Sequence, residues 1–506
     1  MQVRAQLAAV VLATAVPVLW TAARPRADVG ALEVQFQLAD QLAAESRYSE
    51  AIEVYESVKQ SAGDTSERFR AGAGIVRAYL RLAEFERARS AAAELTQVAP
   101  QRADGVSLFG EALWASGLFD EAEATFKKAQ TLNALDARAH NGLARALAAR
   151  NQLDAALDES FTALKLGPRE GDFHHTQGFI YERLHRFEEA AASYGNYVNL
   201  LPNKDRSDKA AWARAQIRFL RSFRNRVPLQ LEGESTTGMH SVPFRLVRDK
   251  VVVKGKINDG RELDFVLDTG SEMTIVSRGN AQRLGVTPIT YTLSAGVGEV
   301  GLRGLQVGRI DALQIGTLTV KNVPALIKNP ELGGLPTREG EAFSPLALGL
   351  SMTIDYGKRV LYLGPKTTEE VKPTVELPLR LHRLAMVRGL LNQNSPASFV
   401  VDTGGEVISI SQSTANTLDM ESARHIPLKV YGTSGWDPDA FLLPGINLAF
   451  DNVRMDNLAV VVLNLRAPSA LLGFQVGGIV GHKFLSQYRV AFDLEHSLLK
   501  LTRIAG

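Results

Sequence analysis

From about Ala31 to Leu201 the apolar positions of an Ala-, Leu- and Glu-rich sequence recur at the spacing of amphipathic helices. The pattern itself repeats. Ala88, Ala122, Ala156 and Ala190 stand 34 residues apart, and four places after each come Ala92, Phe126, Ser160 and Tyr194. Pro100, Pro168 and Pro202 each close a unit 12 residues after its alanine. Gly110 and Gly178 fall where the first helix of a unit approaches the second, and an earlier unit holds Ala51 and Tyr55. One such helix pair cannot bury its apolar stripe alone, so consecutive pairs must stack. Asp208 to Arg226 continues as a basic helix with Arg214, Arg218, Arg221, Arg224 and Arg226, which reads as a cap with a solvated outer face.

The period then changes. Glu232 to Ser241 is short and polar and reads as a linker. Beyond it the alternation is that of strands: Lys250 to Ile257, Leu263 to Leu267, Leu318 to Val320, with Gly and Asn at the turns. A second region of the same type starts near Val375, and the two regions are copies. Phe265-Val266-Leu267-Asp268-Thr269-Gly270-Ser271-Glu272 matches Phe399-Val400-Val401-Asp402-Thr403-Gly404-Gly405-Glu406. The same offset aligns Gly255 with Gly389, Asn258 with Asn392, Ser277 with Ser411, Ala281 with Ala415 and Leu284 with Leu418. Asp355 followed by Leu361 and Leu363 matches Asp493 followed by Leu499 and Leu501. The duplication thus spans strand, tripeptide, helix and closing strand.

The helical repeats resemble the tetratricopeptide family, most clearly at Phe119-Asp120-Glu121-Ala122 and Phe187-Glu188-Glu189-Ala190. The paired Asp-Thr-Gly segments, each following an apolar strand, resemble the retropepsin-like aspartic peptidases. Together the resemblances imply a multidomain chain: an N-terminal all-α tetratricopeptide solenoid, then two mainly-β retropepsin-like lobes. They imply that Asp268 and Asp402 are the catalytic pair, one from each lobe. Thr269 and Thr403 would bridge the lobes, and Gly270 and Gly404 would let the chain turn beside the acids. Ser271 and Gly405 follow the tripeptides; Gly405 offers Asp402 neither hydroxyl nor methyl. The family also has an apolar pair and a glycine late in each lobe. Lobe two supplies Ile479-Val480-Gly481, whereas alignment on Asp355 and Asp493 puts Phe343 there in lobe one, with Leu348-Gly349 nearby but out of register. Flaps over the substrate are expected at Gly296-Val297-Gly298-Glu299 and at Gly432 to Trp436, including Gly435, with Trp436 either covering the cleft or packing locally.

Two carboxylates at close range hold one proton between them. The ionised member can take a proton from a water while the protonated member donates to a carbonyl, which is the chemistry of peptide hydrolysis without a covalent intermediate. The resemblance therefore implies an aspartic endopeptidase acting on a protein or peptide, with a solenoid whose concave face could hold a protein partner. Two alternatives stand beside it: a peptide-binding scaffold without turnover, and active lobes paired between chains.

Composition narrows this further. A net charge of +2 over 506 residues gives no reason to expect nucleic acid. The absence of cysteine excludes disulfides, thiolate metal sites and a cysteine nucleophile. The run Gly296 to Gly301 matches a dinucleotide-binding spacing, but glycine-punctuated strand sequence follows it instead of a helix. His174-His175 lacks an acidic partner at ligand spacing, so neither metal nor cofactor is expected. Arg4, the apolar run Leu7 to Trp20 and the small residues after it read as an export signal, placing the protein in the bacterial periplasm or cell envelope, with membrane contact only if that segment is retained. The expected divisions are 1–27 signal or anchor, 31–226 solenoid and cap, 227–241 linker, 242–366 lobe one and 374–504 lobe two.

Overall fold

The computed structural model describes residues 29–202, 204–205, 207–232, 238–298, 302–328, 340–368, 372–418, 425–432 and 434–504. The export segment 1–27 lies outside them. Among the described residues no helix is long and apolar enough to cross a membrane.

The first half consists of helices Val29–Ala44, Tyr48–Ser61, Thr65–Arg81, Phe85–Val98, Ala103–Ala115, Phe119–Leu132, Ala137–Ala149, Leu153–Leu166, Gly171–Arg183, Phe187–Leu200 and Asp208–Arg221, numbered α1 to α11. Each even-numbered helix folds back on its predecessor. The 34-residue period has a direct physical counterpart. Ala88, Ala122, Ala156 and Ala190 are fully buried, because at that point two helices approach too closely for anything larger. Gly110 and Gly178 serve the same approach: a Cβ there would stand 2.6 Å from the Phe126 ring and 2.8 Å from the Tyr194 ring. The odd-numbered helices α3, α5, α7 and α9 also pack on one another and form the inner layer of the solenoid.

The second half is two β lobes related by an internal pseudo-twofold. In each, the strand leading into Asp-Thr-Gly (Leu263–Leu267, Ser395–Val401) pairs antiparallel with the strand before it and parallel with a short late strand (Glu341–Phe343, Gly478–Val480). The lobes are joined by one continuous sheet. Strand Ser351–Asp355 pairs antiparallel with strand Tyr488–Asp493 in the register Met352 to Phe492 and Ile354 to Val490. These are the closing strands of the two copies, so the lobes meet through equivalent edges, and one apolar core runs through both.

Solenoid and lobes are not separate bodies. A second core joins Trp114, Phe119 and Phe126 of the solenoid to Met386, Val400, Leu463 and Phe474 of lobe two. Phe119 meets Phe474 edge to face at 5.2 Å between ring centres. The Gln475 N–H donates to the Ala115 carbonyl at 2.7 Å, and Arg380 pairs with Asp120 while Arg388 pairs with Glu121. The tight hairpin Arg380–Leu384 enters the inner layer itself, with His382 packed against Trp114, Phe179 and Phe474. Burial, then the neighbouring guanidinium of Arg383, keeps the His382 imidazole neutral well below its usual range.

Two expectations change here. The basic helix α11 keeps Arg218 and Arg221 on an exposed face, but its apolar face is not a free cap. Phe219, Leu220 and the following Phe223 pack with Val307 of lobe one, and Arg218 donates to the Thr290 hydroxyl at 3.2 Å. The helix bridges solenoid and lobe because an apolar stripe beside a second apolar surface is buried by both. The expected linker is also partly structured: Gln230–Leu231 pairs with Lys321 and Val320, and Asn322 donates to the Val227 carbonyl at 2.8 Å.

Phe474 is fully buried at the junction. Phe474→Ala is expected to lower stability by about 3–5 kcal/mol and to open the solenoid–lobe junction to protease, measured by chemical denaturation and limited proteolysis.

Candidate active site between the lobes

Each Asp-Thr-Gly lies where a buried strand ends and a tight turn begins. The backbone holds it from the late strand: Asp268 N–H donates to the Phe343 carbonyl at 2.9 Å, and Asp402 N–H to the Val480 carbonyl at 3.0 Å. The threonines then tie the two turns together. Thr269 N–H donates to Thr403 Oγ1 at 3.1 Å, and Thr403 N–H to Thr269 Oγ1 at 3.0 Å. Each hydroxyl passes its own proton to the opposite lobe, Thr269 to the Val401 carbonyl at 2.6 Å and Thr403 to the Leu267 carbonyl at 2.8 Å. Four reciprocal bonds, with both threonines buried, leave little freedom of one turn relative to the other.

Between these turns the carboxylates face each other. Gly270 N–H donates to Asp268 Oδ1 at 3.0 Å and Gly404 N–H to Asp402 Oδ1 at 2.8 Å. The opposing acid is so close that a Cβ on Gly270 would lie 2.4 Å from Asp402 Cγ, and one on Gly404 would lie 2.7 Å from Asp268 Oδ1. The two glycines are therefore required by space, not by backbone angle. Burial first, and then the Asp402 charge, push the Asp268 carboxyl far above the ordinary carboxylate range. Burial also raises Asp402, while the Gly405 and Gly404 amides and a hydrogen bond from Asp268 favour its ionised form. Two carboxyls this close hold one proton between them, and that proton belongs to the pair rather than to either acid.

The support around the acids differs from the expectation in two places. Gly405 does not deprive Asp402 of support: its amide bonds the carboxylate, and a Cβ would stand 2.8 Å from Asp402 Oδ2. Ser271, its counterpart, turns away and donates to the Met273 carbonyl at 2.7 Å. The lobe-one counterpart of Gly481 is Ser344, not Phe343. The parallel ladders pair Leu267 with Phe343 and Val401 with Val480, so the next residues, Ser344 and Gly481, correspond. Counting back from Asp355 misplaces the position by one because the closing strand is one residue shorter in lobe one, Ser351–Asp355 against Tyr488–Asp493. Ser344 is buried and donates to the Ser271 carbonyl at 2.8 Å, bracing the Asp268 turn with a hydroxyl. Gly481 braces the other turn by close approach, where a Cβ would lie 2.7 Å from the Glu406 carbonyl carbon, and the next amide donates to the Gly405 carbonyl at 2.8 Å. Gly349 is the left-handed cap of the helix Pro345–Leu348.

The flap segments meet tip to tip. Ser434 N–H donates to the Val297 carbonyl at 2.9 Å, and Gly296 N–H donates to the Ser434 hydroxyl at 3.0 Å. A Cβ on Gly298 or Gly432 would collide with the opposite backbone. Gly435 turns at positive φ, where a side chain would be strained. Trp436 is 44% exposed and packs edge-on against its cross-strand partner Tyr431. Glu299 lies outside the described residues. Sequence reasoning missed Ser434 as the contact between the tips, and it missed the ion pair of Glu272 with Arg383 at 2.7 Å, which ties the second residue after the first tripeptide to lobe two. The shared offset of the lobes marks Glu272 beside Glu406, but nothing local marks Arg383 as its partner.

With this geometry in view, the comparisons with known proteins are direct. Residues 253–352 match the family described as aspartyl protease. The first lobe carries an aspartyl-protease family domain. Residues 74–132 and 107–172 match the tetratricopeptide repeat family, so the helical half is a tetratricopeptide solenoid. No curated protein matches the chain. Among solved structures, a thermophilic tetratricopeptide protein of Thermus thermophilus is 21% identical over 37% of this chain and 98% of its own, with a TM-score of 0.31. MamA of Desulfovibrio magneticus is 18% identical over 33% and 94%, with a TM-score of 0.25. YrrB, titled a tetratricopeptide protein with an unusual peptide-binding site, is 18% identical over 36% and 90%, with a TM-score of 0.23.

A buried acid pair raised above the ordinary carboxylate range has a stability signature. Its native carboxyls bind protons more tightly than the unfolded chain, so its contribution is fully favourable below the unfolded value near 4 and is lost as pH rises toward the raised native value. Asp268→Asn removes that penalty without changing volume. The variant is expected to match the parent near pH 3 and to become more stable by up to about 1.4 kcal/mol per pH unit above pH 4, measured by thermal unfolding across pH. Gly404→Ala is expected to abolish the site and destabilise the chain, because its methyl takes the place of the Asp268 carboxylate.

Proposed function

We propose that the chain is an aspartic endopeptidase whose two lobes form one active site within a single chain. The observation that carries this is the buried pair Asp268 and Asp402, facing each other between turns that are cross-bonded by Thr269 and Thr403. A water between the carboxylates would lose its proton to the ionised member and attack the scissile carbonyl. The protonated member would donate to the carbonyl oxygen, giving a neutral tetrahedral diol. Collapse of the diol passes a proton to the leaving amine and restores the singly protonated pair. The two Asp-Thr-Gly turns can stabilise this charge movement without reorganising, since their amides and hydroxyls are already committed to fixed partners.

The flap contact explains how a substrate is admitted. The tips are held by two hydrogen bonds through Val297, Gly296 and Ser434, which a peptide strand must displace. Glycines on both sides supply the backbone freedom for that opening. The repeat domain supports peptide or protein binding as a second role, with one restriction from the fold: the chain's own hairpin Arg380–Leu384 already occupies the inner layer near α5 and α9. A partner or substrate segment would use the part of the groove nearer the N-terminus. Export to the periplasm or envelope is supported by the basic and apolar start of the chain.

The full-length chain is expected to cleave an unfolded protein and a peptide library, and Asp268→Asn and Asp402→Asn are each expected to reduce kcat by at least about 10²–10⁴-fold. Activity should be bell-shaped in pH and centred above the ordinary carboxylate range, falling in acid when both carboxyls are protonated and in alkali when the shared proton is lost. A chain that binds peptide but turns none over at any pH would instead make it a binding scaffold.

A further inference from the structure

The two lobes share their acids but not the residue facing them. Val252 pairs with Val266 and Lys254 with Asp264 in the ladder beside the first tripeptide, and the same register continued by one step sets Lys250 opposite Asp268. Lys250 is fixed there by a two-residue turn, Arg248-Asp249, with both residues at positive φ. Lys254 and Asp264, related in the same way, form an ion pair at 2.9 Å. Lys250 is half-buried, and among the described residues no carboxylate comes within ion-pair distance of its ammonium. Glu406, an exposed acid across the lobe boundary, is held by Lys483 at 2.8 Å. In lobe two the ladder of Met386 with Val400 continues to Leu384 opposite Asp402, and Leu384 packs into the solenoid junction.

We infer that Lys250 is a positioning residue for the dyad: its uncommitted charge, placed on one side only, favours the ionised member and extends the singly protonated state toward lower pH. This rests on the endopeptidase reading of Asp268 and Asp402. The charged and titratable groups around Lys250 are those two acids, Asp249 in its own turn, Glu406 with Lys483, and His482, which burial keeps neutral. The field of Lys250 acts on both acids in the direction of ionisation, opposing burial and mutual repulsion. The solenoid accounts for the one-sidedness. The equivalent site in lobe two is covered by the docking of α5 and α7, where an unpaired ammonium would be desolvated and leucine is not.

The test compares the full-length chain with Lys250→Met and Lys250→Arg. A full charge beyond ion-pair distance of a partly wet site is worth on the order of one pKa unit. Lys250→Met is expected to move both limbs of the kcat/KM–pH profile upward by about half to one unit, and Lys250→Arg to restore them. Infrared difference titration of the protonated carboxyl band, with Asp268→Asn as the blank, reads the same shift whether or not peptide is cleaved. Failure of cleavage alone would therefore count against the endopeptidase reading and not against this one. Unmoved limbs with a raised KM, or an unmoved carboxyl titration, would overturn the role assigned to Lys250.

Discussion

The reciprocal bonding of Thr269 and Thr403 is the constraint on which the rest depends. Two buried carboxylates repel each other and each loses hydration, so the arrangement is unfavourable unless something holds them at fixed separation. Each threonine accepts from the other's amide and donates to a carbonyl of the opposite strand, so no one bond can break without leaving a buried donor or acceptor unpaired. The shared sheet through Ser351–Asp355 and Tyr488–Asp493 performs the same task at longer range. Because both links lie within one chain, the lobes meet without any association step.

From that frame the departures between the lobes become intelligible. One turn is braced by a hydroxyl, Ser344, and the other by the close approach of Gly481. The register continued from one ladder leads to Lys250, and from the other to Leu384. A symmetric pair would have no reason to place the proton on a particular acid. The amides of Gly404 and Gly405 on Asp402 and the single amide of Gly270 on Asp268 already make the two surroundings unequal. Duplication supplied the fold of the site, and the differences between the copies supply its polarity.

Much of this was legible in the sequence, and for definable reasons. The 34-residue alanine period reports a contact repeated identically in every unit, so it survives as a spacing. The paired tripeptides report a site built twice from one template. The correspondence of Ser344 with Gly481 was not legible, because a length difference after it shifts any count made from the closing strand, and only the ladder restores the register. Gly405 looked like a loss because sequence shows a missing side chain but not the carboxylate that fills its space. The docking of solenoid on lobes was hidden for a more general reason. Trp114, Phe119 and Phe474 carry the same apolar signal whether they fill a domain core or a junction, and the partners lie hundreds of residues apart.

That junction changes what the solenoid can be. A repeat array is stable through contacts between neighbours, and its inner layer is ordinarily left open to solvent. Here His382 and its hairpin fill part of that layer, and α11 closes against lobe one through Phe219 and Phe223. The ion pair of Arg383 with Glu272 then runs from the tip of the same hairpin to the turn after Asp268. Solenoid and acid pair are thus linked by a short chain of packed and charged residues, with the Asp268 turn at one end and the repeat groove at the other. The repeats are therefore tied to the Asp268 turn by side-chain contacts as well as by the chain itself.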